Sequence, residues 1–432
     1  MHIDHITLQS IRGFRQLDFD LKRPGGGYAG WTVFTGDNGS GKSTLLKTIA
    51  VCLTGADTAR ALQPSFRGWI RCGAVKEPAY IQLHIAGIPE DDGMTGEGRR
   101  RGGPFPARLG LEPGGEDVVV RAVKPEGTPR TYSTPGRSIW SPKASGWFSC
   151  GYGPFRRVFG ASPEAARAMV SPASERFVTM FQEAASLKEV DEWLRTLNHK
   201  KLEGKSEESA QLDLLLNLLS DDLLPNEITV DGVDSDGLWL QDRNGTRLSW
   251  DEMSDGYRAS LALLADILRH LIKVYGFADL TGTDEQGNTY VKRSGVVLID
   301  EVDAHLHPEW QREIGFWLKR HFPMIQFLVT THSPLICQAA DPNGLFVLPE
   351  RGSAELPQPL SDADYQKVIA GRPDTILLTP AFGLPNTRSP RAVDARAELA
   401  KYRSKRRAGA RLSPQEQDKY QQLKLFETEE EL

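Results

Sequence analysis

Gly36-Asp37-Asn38-Gly39-Ser40-Gly41-Lys42-Ser43 constrains this chain more than any other stretch, because of what stands on either side of it. A strand-like run, Trp31 to Thr35, leads in, and a helix-like run, Thr44 to Leu53, leads out. The octet fits the GxxxxGK[ST] spacing, and the strand-loop-helix context is the one that this spacing requires. Its glycines let backbone N–H groups turn inward on phosphates, the helix N-terminus adds partial positive charge, and Lys42 can bridge the outer phosphates. Ser43 is then the candidate Mg²⁺ ligand, and Thr44 opens the helix. A chain with this element folds as an α/β layer structure with the loop at the carboxyl end of a buried strand.

A second signal lies far downstream. Gly295-Val296-Val297-Leu298-Ile299 is the continuous apolar run expected of a central strand in a covered parallel sheet, and it ends in Asp300-Glu301. Phosphoryl transfer asks a protein mainly to position groups and neutralise charge. Asp300 is therefore expected to hold Mg²⁺ through water, and Glu301 to polarise the water that attacks a γ-phosphate. Another apolar run, Ile325 to Val329, leads into Thr330-Thr331-His332-Ser333, which places His332 where a γ-phosphate sensor belongs. Between the two signals, Ser254-Asp255-Gly256-Tyr257 precedes the helix-like run Ala259 to Ile272. Ser254 reads as that helix's N-cap.

Taken together, these motifs resemble those of ABC-type ATPases, whose signature sequence Ser254, Asp255, Gly256 and Tyr257 resembles. Ile6 to Arg15 is similar to the first strands of the RecF, SMC and OLD branch, and Glu301-Val302-Asp303-Ala304-His305-Leu306-His307-Pro308 to its extended Walker B segment. Cys150 to Arg157, the hairpins before Ser254, and Thr375 to Leu384 further resemble the PtuA-type ATPases of Septu antiphage systems and related retron effectors. The resemblance implies an ABC-type nucleotide-binding domain, with a mixed central sheet and antiparallel β-lobe, an inserted helical lobe and a helical C-terminal extension. It implies ATP and Mg²⁺ as ligands. It also implies a homodimer or higher even oligomer, in which the signature of one copy contacts the γ-phosphate held by the other. In the Septu family the partner is an HNH nuclease of the PtuB kind. The chain shows neither a paired-histidine HNH motif nor room for the Toprim nuclease of OLD proteins, so cutting is expected of another polypeptide. The alternative is an ATP-gated DNA-binding protein of the RecF type, without a nuclease partner. Arg156 and Phe155 are the candidates for stacking on adenine.

A net charge of −5 argues against a generally sticky nucleic-acid binder, so DNA or partner contacts are expected of local patches. One is Arg99-Arg100-Arg101, within a Gly- and Pro-rich loop. The other runs from Arg388 to Arg411 and includes Arg403, Lys405, Arg406 and Arg407. A disordered loop and a solvated basic helix are the competing readings. The four cysteines are scattered and are expected to be reduced and buried. No apolar run has the length of a membrane helix and no signal peptide opens the chain, so a cytoplasmic location without membrane contact is expected.

These signals divide the chain into an ATPase core over 1–60 and 225–350, a β-lobe over 61–160, a helical lobe over 161–224 and a helical extension over 351–432. Asn244-Gly245 marks a hairpin that delivers the signature helix. The helical lobe lacks the heptads of a long coiled coil.

Overall fold

The computed structural model describes residues 1–73, 78–96, 103–129, 132–156, 163–169, 171–183, 185, 187–221, 224, 228–350 and 356–424. Two sheets face each other across one long helix. The larger is six-stranded, in the order Gln358–Pro359, Leu345–Val347, Gly30–Thr35, Ile325–Thr330, Gly295–Ile299 and Ser149–Tyr152. All its pairings are parallel except that of the terminal Gln358–Pro359 strand. The other sheet is antiparallel and five-stranded, in the order Phe14–Asp20, His2–Ile11, Ala79–Ala86, Phe105–Gly114 and Asp117–Ala122.

The phosphate-loop helix, Lys42–Leu62, is buried between these sheets, which is why it is apolar nearly all round rather than along one stripe. Val296, Leu298 and Leu328 of the parallel sheet share its hydrophobic cluster. The alternate residues Val297, Ile299, Phe327 and Val329 join the cluster on the opposite face. There they pack with the signature helix Asp255–Tyr275, the helix Pro308–His321 and the helical pair Lys188–Leu202 and Ser206–Leu219. A parallel sheet covered on both faces has to be apolar on both, as these runs are. Gln326 is the buried exception. Its amide donates to the Ile3 carbonyl and its oxygen accepts from the Ile3 N–H, tying the two sheets together.

Three features depart from the sequence reading. Ser149–Tyr152, expected in the β-lobe, is an edge strand of the parallel sheet, paired with Gly295–Ile299. Conversely, His2–Ile11 and Phe14–Asp20, expected in the core, belong to the antiparallel sheet. Period-2 patterning marks a strand but not its partner. Finally, the phosphate-loop helix, read from the sequence as far as Leu53, continues to Leu62 beyond an interruption at Gly55, at φ 78 and ψ 167, where Trp140 lies against the glycine and donates its indole N–H to the Cys52 carbonyl. Of the cysteines, Cys52, Cys150 and Cys337 are buried, with burial raising their thiol pKa values, but Cys72 is exposed.

The three-stranded sheet Thr229–Asp234, Gly237–Gln241 and Arg247–Ser249 turns at Asn244-Gly245 and leads into the signature helix. At the other end, Pro390–Arg407 and Pro414–Leu423 form a helical hairpin with a small hydrophobic cluster of its own. Among the described residues no helix is long and apolar enough to cross a membrane.

Candidate nucleotide site

Gly30–Thr35, Ile325–Thr330 and Gly295–Ile299 lie side by side and parallel, so Gly36, Thr331 and Asp300 leave the sheet at the same edge. Open α/β sheets bind ligands at this carboxyl edge. The phosphate loop there is shaped by backbone conformations that suit glycine. Gly36, Gly39 and Gly41 have φ values of 134, 87 and 101. A Cβ on Gly36 would stand 2.9 Å from the Leu348 carbonyl oxygen, and one on Gly41 would stand 2.6 Å from the Phe14 ring. Asp37, Asn38 and Gly39 are exposed at the loop's crest.

Lys42 is buried at the first turn of its helix, where Nζ donates to the carbonyls of Gly36 (2.7 Å) and Asp37 (3.1 Å). Burial lowers its pKa, and the nearby carboxylates of Asp300 and Glu301 oppose that shift. Ser40 is also buried, yet its Oγ has no hydrogen-bond partner. A buried hydroxyl left in this state costs free energy. A phosphate oxygen would supply the missing partner. Ser43 and Thr44 follow, half-buried, in the helix's first turn. Beside the loop opens a cavity of about 630 Å³, lined by Arg12, Arg15 and Arg71 together with Ser40, Gly41 and Thr44. Sequence reasoning assigned these arginines no role, although Arg12 and Arg15 flank the glycine and phenylalanine of a hairpin turn.

The acidic turn is organised by side chains instead. Asp300 is buried, and its Oδ1 accepts a 2.6 Å bond from the Thr330 hydroxyl. That hydroxyl in turn accepts from the Glu301 N–H at 2.7 Å. Glu301 holds φ 47, in the left-handed region that non-glycine residues rarely occupy. Asp303 Oδ1 accepts from the Thr331 hydroxyl (2.5 Å) and the His332 N–H (3.3 Å), tying the exposed His332 to the same turn. Arg156 sits beneath it all. This placement removes Arg156 from the candidates for stacking on adenine: it is buried, and its guanidinium N–H groups are spent on backbone carbonyls. Phe155, next to it, is exposed.

Ser254 caps the signature helix, accepting from the Tyr257 N–H at 3.5 Å, and is itself exposed. Asp255 is paired with Arg258, and Tyr257 packs its ring 4.9 Å from that of Trp310. A Cβ on Gly256 would come within 2.1 Å of the His305 carbonyl oxygen, so only glycine lets the signature approach the segment that follows the acidic turn. Thus Asp300 and Glu301 are tied to Thr330 and His332 to Asp303 of the same turn, and Lys42 lies within electrostatic reach of Asp300 and Glu301. The signature instead abuts the far end of the same turn.

The basic patches stand apart. Arg99, Arg100 and Arg101 lie outside the described residues. In the C-terminal hairpin, Lys405 pairs with Glu416 at 2.7 Å, Arg406 lies over the Tyr420 ring at 5.4 Å, and Arg403 also has an interaction partner. Arg407 is exposed in the last turn of its helix. Lys405 and Arg406, expected at a docking surface, therefore also contact the second helix of the hairpin while remaining exposed.

The family described as "AAA domain, putative AbiEii toxin, Type IV TA system" matches residues 31–338. A retron Ec83 probable ATPase from Escherichia coli is 40% identical over 111 residues, 25% of this chain and 18% of that protein. Septu protein PtuA from Bacillus mycoides (strain KBAB4) is 25% identical over 338 residues, 77% of this chain and 38% of that one. Septu protein PtuA from Bacillus thuringiensis is 30% identical over 182 residues, 41% of this chain and 43% of that one. The matches thus span less than half the length of these curated relatives. Among solved structures, the Smc head domain bound to the C-terminal domain of ScpA, derived from Pyrococcus furiosus, aligns at 15% identity over 85% of this chain and 98% of that one, with a TM-score of 0.47. The chain belongs to the AAA-domain family named above, with an ABC-type ATPase fold that resembles the ATPases of Septu systems and retrons.

Proposed function

We propose that this chain binds and hydrolyses ATP as the switch subunit of an antiphage defence complex, closing on a second copy around the nucleotide and controlling a separate HNH-type nuclease. The observation that carries the reading is the shared sheet edge. There a glycine-shaped loop, with the buried Ser40 hydroxyl lacking a partner, stands with Asp300 and Glu301 within electrostatic reach of Lys42. The defence role is supported by the names of two relatives, a Septu protein PtuA and a retron Ec83 probable ATPase.

Loop N–H groups and the Ser40 hydroxyl would hold the phosphates, and Lys42 would exchange its two carbonyl partners for the outer ones. Ser43 and Asp300 suit Mg²⁺, a hard cation that takes oxygen ligands and retains water. Bound there, it would neutralise charge on the phosphates. Glu301 would orient and polarise the attacking water, and His332 would sense the γ-phosphate. The partner's copy of the signature, through Ser254 and Gly256, would add charge-assisted bonds that a diphosphate cannot offer. Nucleotide state would thereby set quaternary shape, and a partner nuclease would respond to that shape.

Replacing Glu301 by Gln tests this reading. ATP binding should persist while turnover falls by about a hundredfold or more, with dimers accumulating under ATP on a sizing column. Equal turnover in wild type and Glu301→Gln would remove the carboxylate from the mechanism. A dimer population unchanged in Ser254→Ala under ATP would remove the contact between copies.

A further inference from the structure

Arg156 is one of the most thoroughly buried cations among the described residues, and all its hydrogen-bond partners there are backbone carbonyls. Nη1 donates to Gly153 (3.3 Å) and Asp300 (3.0 Å). Nη2 donates to Glu301 (3.1 Å), Val302 (3.4 Å) and Ala304 (3.1 Å). Four of these five acceptors belong to the acidic turn, and the fifth closes the arginine's own loop after the edge strand Ser149–Tyr152. Burial pulls its pKa down to about 10, against the opposing pull of Asp303, Asp300 and Glu301, so the group is still a cation at neutral pH.

Burying a charge without a paired carboxylate is expensive, and a side chain kept in this state has to do something a smaller or neutral one cannot. What it does is visible in the turn. Glu301 is held at φ 47 and His305 at φ 68, conformations that cost on the order of 1–3 kcal/mol each and persist only where the surroundings over-determine them. The carbonyls of such a turn converge instead of pairing along a strand or helix. A planar guanidinium can collect them in one fork, whereas a lysine ammonium, with three N–H groups on one atom, cannot span them.

We propose that Arg156 is a positioning residue for the ATPase reaction: its guanidinium, spread over the carbonyls of Asp300, Glu301, Val302 and Ala304, fixes the strained turn and so sets where the Glu301 carboxylate stands. The proposal rests on the reading of Glu301 as the water-polarising group. It places the control of catalysis in the Gly153 to Arg156 segment that follows the edge strand, so a displacement of that segment would pull directly on the catalytic turn.

The test compares wild type, Glu301→Gln, Arg156→Lys and Arg156→Ala for Mg-ATP affinity, steady-state turnover and thermal melting. Arg156→Lys should bind ATP within about threefold of wild type while kcat falls by about tenfold to a hundredfold, because a small displacement of a catalytic group costs rate and not ground-state binding. In Arg156→Ala, guanidinium chloride far below denaturing concentration should restore part of the rate, and sodium chloride at equal ionic strength should not. An Arg156→Lys protein with unchanged kcat, or with affinity and kcat lost in step, would overturn the proposal. So would failure of that variant to fold, since the arginine would then hold the whole fold, or a folded Arg156→Ala that guanidinium leaves unrescued. Should Arg156→Ala itself not fold, the kcat and affinity of Arg156→Lys decide. Wild type turning over no faster than Glu301→Gln would instead sink the reading of Glu301, and this proposal with it.

Discussion

The phosphate loop and the acidic turn leave the same sheet edge, yet they are held in opposite ways. The loop is built from neighbouring residues: three glycines at positive φ, a lysine that bonds back to carbonyls five and six residues before it, and a serine hydroxyl left without a partner. The turn is built from a distance. Thr330 from the adjacent strand and Arg156 from the opposite edge strand's loop meet its backbone, and Asp303 takes bonds from Thr331 and His332. A loop that receives phosphate, as proposed above, could leave a polar group unpaired, because the ligand would complete it. A turn that must hold a carboxylate at a strained φ has to be satisfied before any ligand arrives.

The comparison breaks most sharply at Gly41. An alanine there would have to adopt φ 101 and place its Cβ 2.6 Å from the Phe14 ring. Gly41→Ala should reshape the loop and weaken ATP affinity by about a hundredfold or more in a titration, and it should also cost about 1 kcal/mol or more of stability, because alanine is strained at this φ. A variant that binds normally would mean that the loop is not locally determined.

Gly256→Ala comes next. Its methyl would stand 2.1 Å from the His305 carbonyl oxygen, a backbone atom, so either the signature or the end of the acidic turn must move. Turnover should fall by about tenfold to thirtyfold, with a loss of about 1–3 kcal/mol in stability from overpacking. ATP affinity of the monomer should hold. Loss of affinity in proportion to turnover would show the signature and the phosphate loop to be coupled within one chain.

Thr330→Val keeps shape but removes the hydroxyl that donates to Asp300 and accepts from Glu301. With the Glu301 N–H left unpaired, chemical denaturation should report a loss of about 1–3 kcal/mol, and kcat should drop by about tenfold. Thr330→Ser should recover most of both.

What could be read in advance follows the same division. The octet from Gly36 to Ser43, the apolar strands and the cap at Ser254 are local patterns: each residue's role depends on neighbours a few positions away. Arg156 carries no such mark. Its acceptors lie as far as Ala304 in the chain, and a helical lobe, six strands and the signature helix intervene among the described residues. The one available signal was an arginine after a Gly-Pro pair with no nearby acid to pair with, and that is indistinguishable from a surface cation until the sheet order is known. The same blindness separated Ser149–Tyr152 from its sheet and ended the phosphate-loop helix at Leu53, short of the turns beyond Gly55, where Trp140 bonds the Cys52 carbonyl from outside the helix. Edge strands and inserted side chains are set by tertiary contacts, and periodicity cannot express those.

The smallest effect is the most discriminating, because two measurements should move in opposite directions. In the free protein the Ser40 hydroxyl is buried and unpaired, so Ser40→Ala removes a desolvated group and should leave the melting temperature unchanged or slightly higher. Were that hydroxyl one of the groups that receive phosphate, the same substitution should weaken ATP affinity by about threefold to tenfold, the scale of one hydrogen bond to a charged group. Thr330→Val should lose stability and rate together, since the turn spends its hydrogen bonds on itself. Falling stability in Ser40→Ala would mean that the loop, too, is internally completed, and the distinction between a waiting site and a finished one would fail at its nearest point.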